Sequence, residues 1–142
     1  MTVMARDGWR MGLRPFPAIC LAGALTLFLA TALSDWAYFA SYEIQWNNFA
    51  SWLLVGALVL SAMALVLSLP DVVPRGRRTR EGTLFALILL AAWVVGIFNA
   101  LMHARDAWAS MPAGLWMSWI ASLLAAVATW LGFRSPRAGG AA

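Results

Sequence analysis

The feature that most constrains this chain is a set of four long apolar runs that contain no Asp, Glu, Lys or Arg. They cover residues 15–34, 44–70, 82–104 and 107–133. Each reaches the roughly 20 residues that an α-helix needs to cross a bilayer. Because a chain in lipid must satisfy its backbone hydrogen bonds internally, such runs are read as helices. The sequence therefore predicts an all-α integral membrane protein, a four-helix bundle of up-down topology.

Proline and charge positions give approximate boundaries for these helices. We expect helices over about residues 16–39, 48–69, 82–104 and 113–133, within a single membrane domain over 1–142 and with 134–142 as a flexible tail. Pro17 suits the first turn of a helix, and Pro112 precedes the last one. The connecting segments are too short to bury cores of their own. Function is therefore expected in the bundle, at its rim or through a partner.

Arginine, the basic residue throughout this chain, sets the expected orientation. Three arginines precede the first run, four lie between the second and third runs, and two follow the fourth run, whereas Arg105 alone lies on the other side. Basic residues concentrate in cytoplasmic loops. We therefore expect both termini in the cytoplasm of a bacterial-type inner membrane. The four arginines of the central loop are also expected to contact anionic lipid: Arg75, Arg77, Arg78 and Arg80.

Composition excludes several other classes of protein. The chain is 63% hydrophobic and 11% charged, against roughly 25% charged in soluble domains. Its net charge of +4 fits lipid contact, and no nucleic-acid binding is expected. The single cysteine, Cys20, lies in the first run and offers neither a disulfide nor a cysteine metal cluster. With one histidine and few carboxylates, the chain has no catalytic constellation, so we expect neither an enzyme nor a metal site.

One polar cluster is predicted where the first and third helices end. Asn99 and His103 share a helix face, and Arg105 and Asp106 follow them. Asp35 is expected at similar depth, with Tyr38 beyond it. Ionisable groups at membrane depth are costly unless they are paired or hydrated. We expect Asp35 to pair with Arg105 or His103, either as a salt bridge that fixes the two hairpins or as a site for a proton, a quinone head group, a haem or a small polar ligand.

Haem b is a weaker expectation than a bundle without a cofactor. Axial ligation in a bundle commonly needs two residues, and the chain supplies one histidine. A homodimer would supply a second copy of His103. Met63 or Met117 would be the alternative second ligand within one chain.

Small residues on the third helix predict close helix packing. Ala92, Gly96 and Ala100 recur at four-residue spacing, which lets a neighbouring helix approach closely. Packing within the bundle is the simplest interpretation. The same stripe is compatible with a homo-oligomer.

Aromatic residues concentrate on the side opposite the arginines. An interfacial belt explains such residues, and their excess on one side also suits a docking rim for a periplasmic or membrane protein, or a quinone site. The predicted aromatic rim comprises Trp36, Trp46, Trp52, Trp108, Trp116 and Trp119.

Four short motifs, taken in order, resemble a known bacterial family. They are Arg14-Pro15-Phe16-Pro17, Ser34-Asp35-Trp36-Ala37-Tyr38, Ala50-Ser51-Trp52-Leu53-Leu54 and the segment from Asn99 to Asp106. Together they resemble the family called domain of unknown function 2231, over about Pro15 to Phe133. The resemblance implies a four-helix inner-membrane protein and no established activity. The chain departs from the family pattern where a His-Pro pair would open helix one and where a further histidine would lie near Phe85.

The leading functional hypothesis is a non-catalytic accessory or anchoring subunit that docks a partner through its periplasmic rim. The first alternative is an electron-transfer component that binds quinone or haem through His103. The second is a small oligomeric transporter or channel.

Overall fold

The computed structural model describes residues 13–72, 80–105 and 107–134 of the chain. These form five helices: α1 Pro15–Ser41, α2 Ile44–Val72, α3 Arg80–His103, α4 Ala107–Ser110 and α5 Ala113–Arg134. The four long helices, α1, α2, α3 and α5, are each long and apolar enough to span a membrane. The described chain is thus an all-α bundle of four spanning helices, with α4 as a single short turn between α3 and α5.

The four long helices pack as a square. α1 contacts α2 and α5, and α3 contacts α2 and α5, so α1 and α3 occupy opposite corners. Residues 42–43 connect α1 to α2, and residues 104–112 connect α3 to α5. Both connections lie at the same end of an up-down bundle, here called the hairpin end. The opposite end, where α1 begins and α5 ends, is called the terminal end.

Local sequence explains how α1 begins and ends. Pro15 and Pro17 occupy the first turn, where a missing backbone N–H costs nothing. At the other end Tyr42 adopts a left-handed conformation, with φ of 55°, and its N–H donates to the Tyr38 carbonyl at 2.7 Å. The Ser41 hydroxyl accepts from the Glu43 N–H at 3.3 Å. The chain consequently turns into α2 within two residues, and α2 begins at Ile44, ahead of the position expected from the sequence.

The interior is built from a few large side chains set among small ones. Near the terminal end, Leu13, Leu21, Phe85 and Leu89 are fully buried. The middle layer holds Phe28 and Leu54 together with four alanines: Ala57, Ala92, Ala121 and Ala125. Small residues let helices in lipid approach closely, where dispersion contacts replace the hydrophobic effect as the driving force.

Gly96 marks the tightest approach within this middle layer. A Cβ added there would lie 2.8 Å from Leu58 Cδ2 and 3.1 Å from Phe28 Cε1. Ala92, one turn earlier, is fully buried, and Ala100, one turn later, is partly buried against the same layer. The small-residue stripe of α3 therefore faces the inside of its own bundle.

Interhelical hydrogen bonds supplement this packing. The Trp93 indole N–H donates to the Leu58 carbonyl of α2 at 3.2 Å. At the terminal end Arg14 Nη2 donates to the Leu67 carbonyl at 2.8 Å. Of the predicted arginine loop, Arg80 is the exposed first residue of α3. Arg75, Arg77 and Arg78 lie outside the described residues.

Candidate functional site

The polar residues predicted on α3 face the inside of the bundle near its hairpin end. Asn99 and His103 are four residues apart, so they share one helix face. His103 Nε2 lies 2.8 Å from Asp35 Oδ1, on the helix at the opposite corner of the square. Ser118 of α5 completes the group, because its hydroxyl donates to Asp35 Oδ2. Asp35, Asn99, His103 and Ser118 are called the polar ring below.

The polar ring is a closed circuit of hydrogen bonds that begins and ends at Asn99. The Asn99 side-chain Nδ2 donates to Ser118 Oγ at 2.7 Å, and Ser118 donates in turn to Asp35. Asp35 meets His103 Nε2, and the other ring nitrogen, Nδ1, lies 3.0 Å from the Asn99 backbone carbonyl. Three helices, α1, α3 and α5, are thus joined by these hydrogen bonds.

The direction of these bonds follows from the chemistry of each group. A hydroxyl has a single proton to donate. Since a carboxylate oxygen has none to give, Ser118 must use its proton on Asp35 and accept a hydrogen bond from Asn99. That assignment fixes the Asn99 amide with its nitrogen toward Ser118. In the opposite amide orientation, Asn99 Oδ1 and Asp35 Oδ2 would both need the single hydroxyl proton of Ser118.

The ring is almost fully removed from its surroundings. Asp35 and Asn99 are 0% exposed, Ser118 is 1% exposed and His103 is 8% exposed. Below it, toward the terminal end, the interior is filled by Phe28, Leu54 and the alanines of the middle layer. The described interior therefore holds a polar group at one end and apolar packing beneath it.

The connectivity differs from that of a serine hydrolase. In a Ser-His-Asp triad the histidine lies between the other two residues and removes the serine proton. Here Asp35 lies in the middle, and Ser118 and His103 both bond to it. The histidine has no contact through which to activate the serine. The ring can hold helices and protons in place, but it does not generate a nucleophile.

One ring atom lacks a hydrogen-bond partner. Asn99 Oδ1 is the only buried side-chain nitrogen or oxygen of the described residues without one. It faces Gly114 of α5, where an added Cβ would lie 3.5 Å from Oδ1 and 3.3 Å from His103 Cε1. Buried amide oxygens are normally satisfied, so this atom calls for an explanation.

The other predicted members of the cluster lie around the ring rather than in it. Tyr38 is buried one turn beyond Asp35, and its ring packs edge-on against Tyr42 with centroids 6.0 Å apart. Arg105 is exposed after the end of α3. The ion pair formed by Asp35 among the described residues is with His103. Asp106 lies outside the described residues.

Sequence reasoning did not assign Ser118 or Gly114 to this site. Ser118 and Ser122 stand four residues apart on α5, and the Ser122 hydroxyl donates to the Ser118 carbonyl at 2.8 Å. Serines at helical spacing occur on many membrane helices, so the spacing carries little information. The useful signal would have been a serine level with Asp35 on a helix adjacent to α1.

His103 is poorly placed to ligate a haem iron or a metal. Each of its ring nitrogens already faces an oxygen, and its side chain is 2% exposed. Ligation through Nε2 would break the contact with Asp35, and ligation through Nδ1 would break the contact with the Asn99 carbonyl. Met63, one suggested second ligand, is 36% exposed on the outer surface of the bundle. Among the described residues no three His, Cys, Asp or Glu side chains are grouped to hold a metal ion.

The predicted aromatic rim lies mostly on the outside of the bundle. Trp36, Trp46, Trp52 and Trp116 are exposed, with Trp52 the most open at 72%, and Trp119 is partly buried. The side chain of Trp108 lies outside the described residues. Among the described residues, the terminal end presents one exposed tryptophan, Trp130, over which the Arg134 guanidinium lies 5.5 Å from the ring centroid. The described rim is therefore an exterior feature, separate from the buried ring.

Comparison with known proteins supplies the family. No curated protein and no solved structure matches the chain. One family matches residues 14–136 and is described as a predicted membrane protein, DUF2231. That match begins just before α1, ends just after α5 and covers both helices that carry the Asp35 and His103 motifs. The chain belongs to the DUF2231 family of predicted membrane proteins.

Proposed function

We propose that this protein is a non-catalytic accessory or anchoring subunit of a bacterial inner membrane, which docks a protein partner through the aromatic rim at its hairpin end. The observation that carries the proposal is the difference between the buried and the exposed side chains at that end. The polar ring residues bond to one another inside the bundle, whereas Trp36, Trp46, Trp52 and Trp116 are exposed on its outer surface.

The orientation of the subunit follows from its arginines. Nine of the ten belong to the tails and the loop of the terminal end, and such residues remain in the cytoplasm. The hairpin end then faces the periplasm. Tryptophan supplies a large contact area with one hydrogen-bond donor, which is why it is enriched both at membrane interfaces and in the energetic centres of protein interfaces.

The polar ring supports this function by fixing the geometry of the rim. Trp36 directly follows Asp35 in α1, and Trp119 directly follows Ser118 in α5. Each rim residue is therefore carried by a backbone that the ring holds in place. A binding surface on rigid elements loses less conformational entropy when the partner docks.

Two alternatives receive less support from the geometry. An electron-transfer component with a haem or quinone at His103 needs a ring nitrogen free to ligate or to donate, and both nitrogens are engaged internally. A small oligomeric transporter or channel would need its polar path between copies of the chain, because Phe28, Leu54 and the alanines close the interior of one bundle beneath the ring.

Site-specific photocrosslinking in intact cells tests the docking proposal. A benzophenone amino acid replaces Trp36 or Trp52 at the hairpin end, and Trp130 at the terminal end serves as a control of similar exposure. We expect one defined protein adduct from the rim positions, absent from position 130 and lost when Trp116 is changed to Ala. Lipid adducts alone at all three positions would contradict docking. An adduct with a second copy of the chain would identify the partner as the protein itself.

A further inference from the structure

We infer that the polar ring is a proton-binding site, in which Asp35 Oδ1 and His103 Nε2 share one exchangeable proton within a pair of zero net charge. This inference is independent of the docking function. Because the residues of the polar ring are buried, a ligand that binds there must be very small.

His103 Nδ1 lies 3.0 Å from the backbone carbonyl of Asn99, which can only accept a hydrogen bond. An unprotonated Nδ1 would set two lone pairs against each other. Nδ1 is therefore the protonated nitrogen, and the proton that remains to be placed lies between Nε2 and Asp35.

Nε2 lies 2.8 Å from Asp35 Oδ1. A hydrogen bond of this length needs one proton between the two atoms. If that proton is on the nitrogen, the pair is an imidazolium and a carboxylate; if it is on the oxygen, both groups are neutral. The net charge is zero in either case. Removing the proton would leave a negative charge on a side chain that is 0% exposed.

The charge of the pair comes from its own two residues. Among the described residues, Asp35 from α1 is the titratable group that contacts His103, since Ser118 from α5 and Asn99 from α3 are uncharged. The sequence of α2 from Ile44 to Pro70 and that of α5 from Ala113 to Phe133 contain no Asp, Glu, Lys, Arg or His. The exposed Arg105 lies beyond the end of α3. The proton therefore binds to the two groups as one unit.

The interior differs on the two sides of the pair. Toward the terminal end, Phe28 and Leu54 fill it. Toward the hairpin end, Gly114 leaves no side chain beside the His103 ring, and Asn99 Oδ1 faces the same glycine without a partner. We therefore place proton exchange at the hairpin end, where Asn99 Oδ1 offers an unused acceptor to a water molecule.

Nitrogen-15 NMR of the full chain in liposomes tests the site directly, because His103 is the single histidine. With [15N]histidine we expect at neutral pH a protonated Nδ1 and a second proton shared by Nε2. In Asp35→Asn the shared proton should be lost, which leaves His103 a neutral imidazole with an unprotonated Nε2. Arg105→Gln, at an exposed position, should leave the wild-type signals unchanged. An unprotonated Nδ1 in the wild type would overturn the inference.

Two further measurements keep the test decisive if Asp35→Asn folds poorly. Infrared difference spectra of the wild type between neutral and alkaline pH should show loss of the shared proton with a change in carboxyl absorption, and His103→Gln should lose that response. Addition of a short-chain quinone should leave the histidine signals in place. A saturable shift would overturn the assignment of the proton as the ligand and favour a quinone site.

Discussion

Asp35 and His103 are in contact although their helices lie at opposite corners of the bundle, with 2.8 Å between Oδ1 and Nε2. Neighbouring helices of the square are held by extended packing. The α1–α3 diagonal instead has this polar contact at the hairpin end and the Phe28 ring against Gly96 further in. The α1–α3 diagonal is therefore held by one polar contact and one apolar contact.

Breaking the pair from either side should be strongly destabilising. Asp35→Ala leaves a buried histidine without its acceptor, and His103→Ala leaves a buried carboxyl without its partner, each at a cost of about 3–5 kcal/mol. Unfolding by SDS in mixed micelles measures the change. The double variant should cost less than the sum of the two, by about 0.5–3 kcal/mol. Additive single effects would show that the two residues act separately.

Ser118 should matter more than the serine one turn later. Ser118→Ala leaves Asn99 Nδ2 and Asp35 Oδ2 without a partner, and an unsatisfied buried group costs about 1–3 kcal/mol. Ser122→Ala is the matched control, because its hydroxyl donates only to the Ser118 carbonyl of its own helix. The same SDS titration compares the two variants. Equal losses would argue against a closed ring.

Bulk added on the inner face of α3 should loosen the bundle. In Gly96→Leu even the first carbon would lie 2.8 Å from Leu58 Cδ2, and overpacking of this kind costs typically about 1–3 kcal/mol. Ala91→Leu adds bulk on the exposed side of the same helix and should be close to neutral. Thermal unfolding in detergent distinguishes the two. If both are tolerated, the stripe does not pack inside its own chain.

The direction of insertion can be read from two single-cysteine variants. In a Cys20→Ala background, Ser41→Cys lies at the exposed hairpin end and Arg134→Cys at the exposed terminal end. An impermeant maleimide added to intact cells should label position 41 and spare position 134. Opening the inner membrane should make position 134 reactive. The reverse pattern would contradict the orientation set by the arginines.

The sequence was sufficient to predict the four spanning helices, because charge-free runs of that length have few other ways to fold. It also placed Asp35 and His103 at one end, since each lies near the end of its helix. It could not decide between Arg105 and His103 as the partner of Asp35. That choice depends on the square arrangement of the helices, which follows from the shapes of Phe28, Gly96 and the alanines rather than from any pattern in one helix.

Ser118 shows the same limit for the site. Its role comes from lying level with Asp35 on an adjacent helix, 83 residues later in the chain. Depth and adjacency are properties of the packed bundle. The short helix α4 and the early start of α2 at Ile44 likewise depend on how tightly the two connections turn.

The position of Asp35 in the first spanning helix has a consequence for biosynthesis. Its partner His103 is made 68 residues later, and Ser118 later still. During synthesis α1 therefore enters the membrane with an acidic group whose partners do not yet exist. Proximity to the end of the helix lets that group remain hydrated at the membrane surface in the meantime. The arrival of α3 and then of α5 draws it inside, so α5 completes the burial of a residue that belongs to α1.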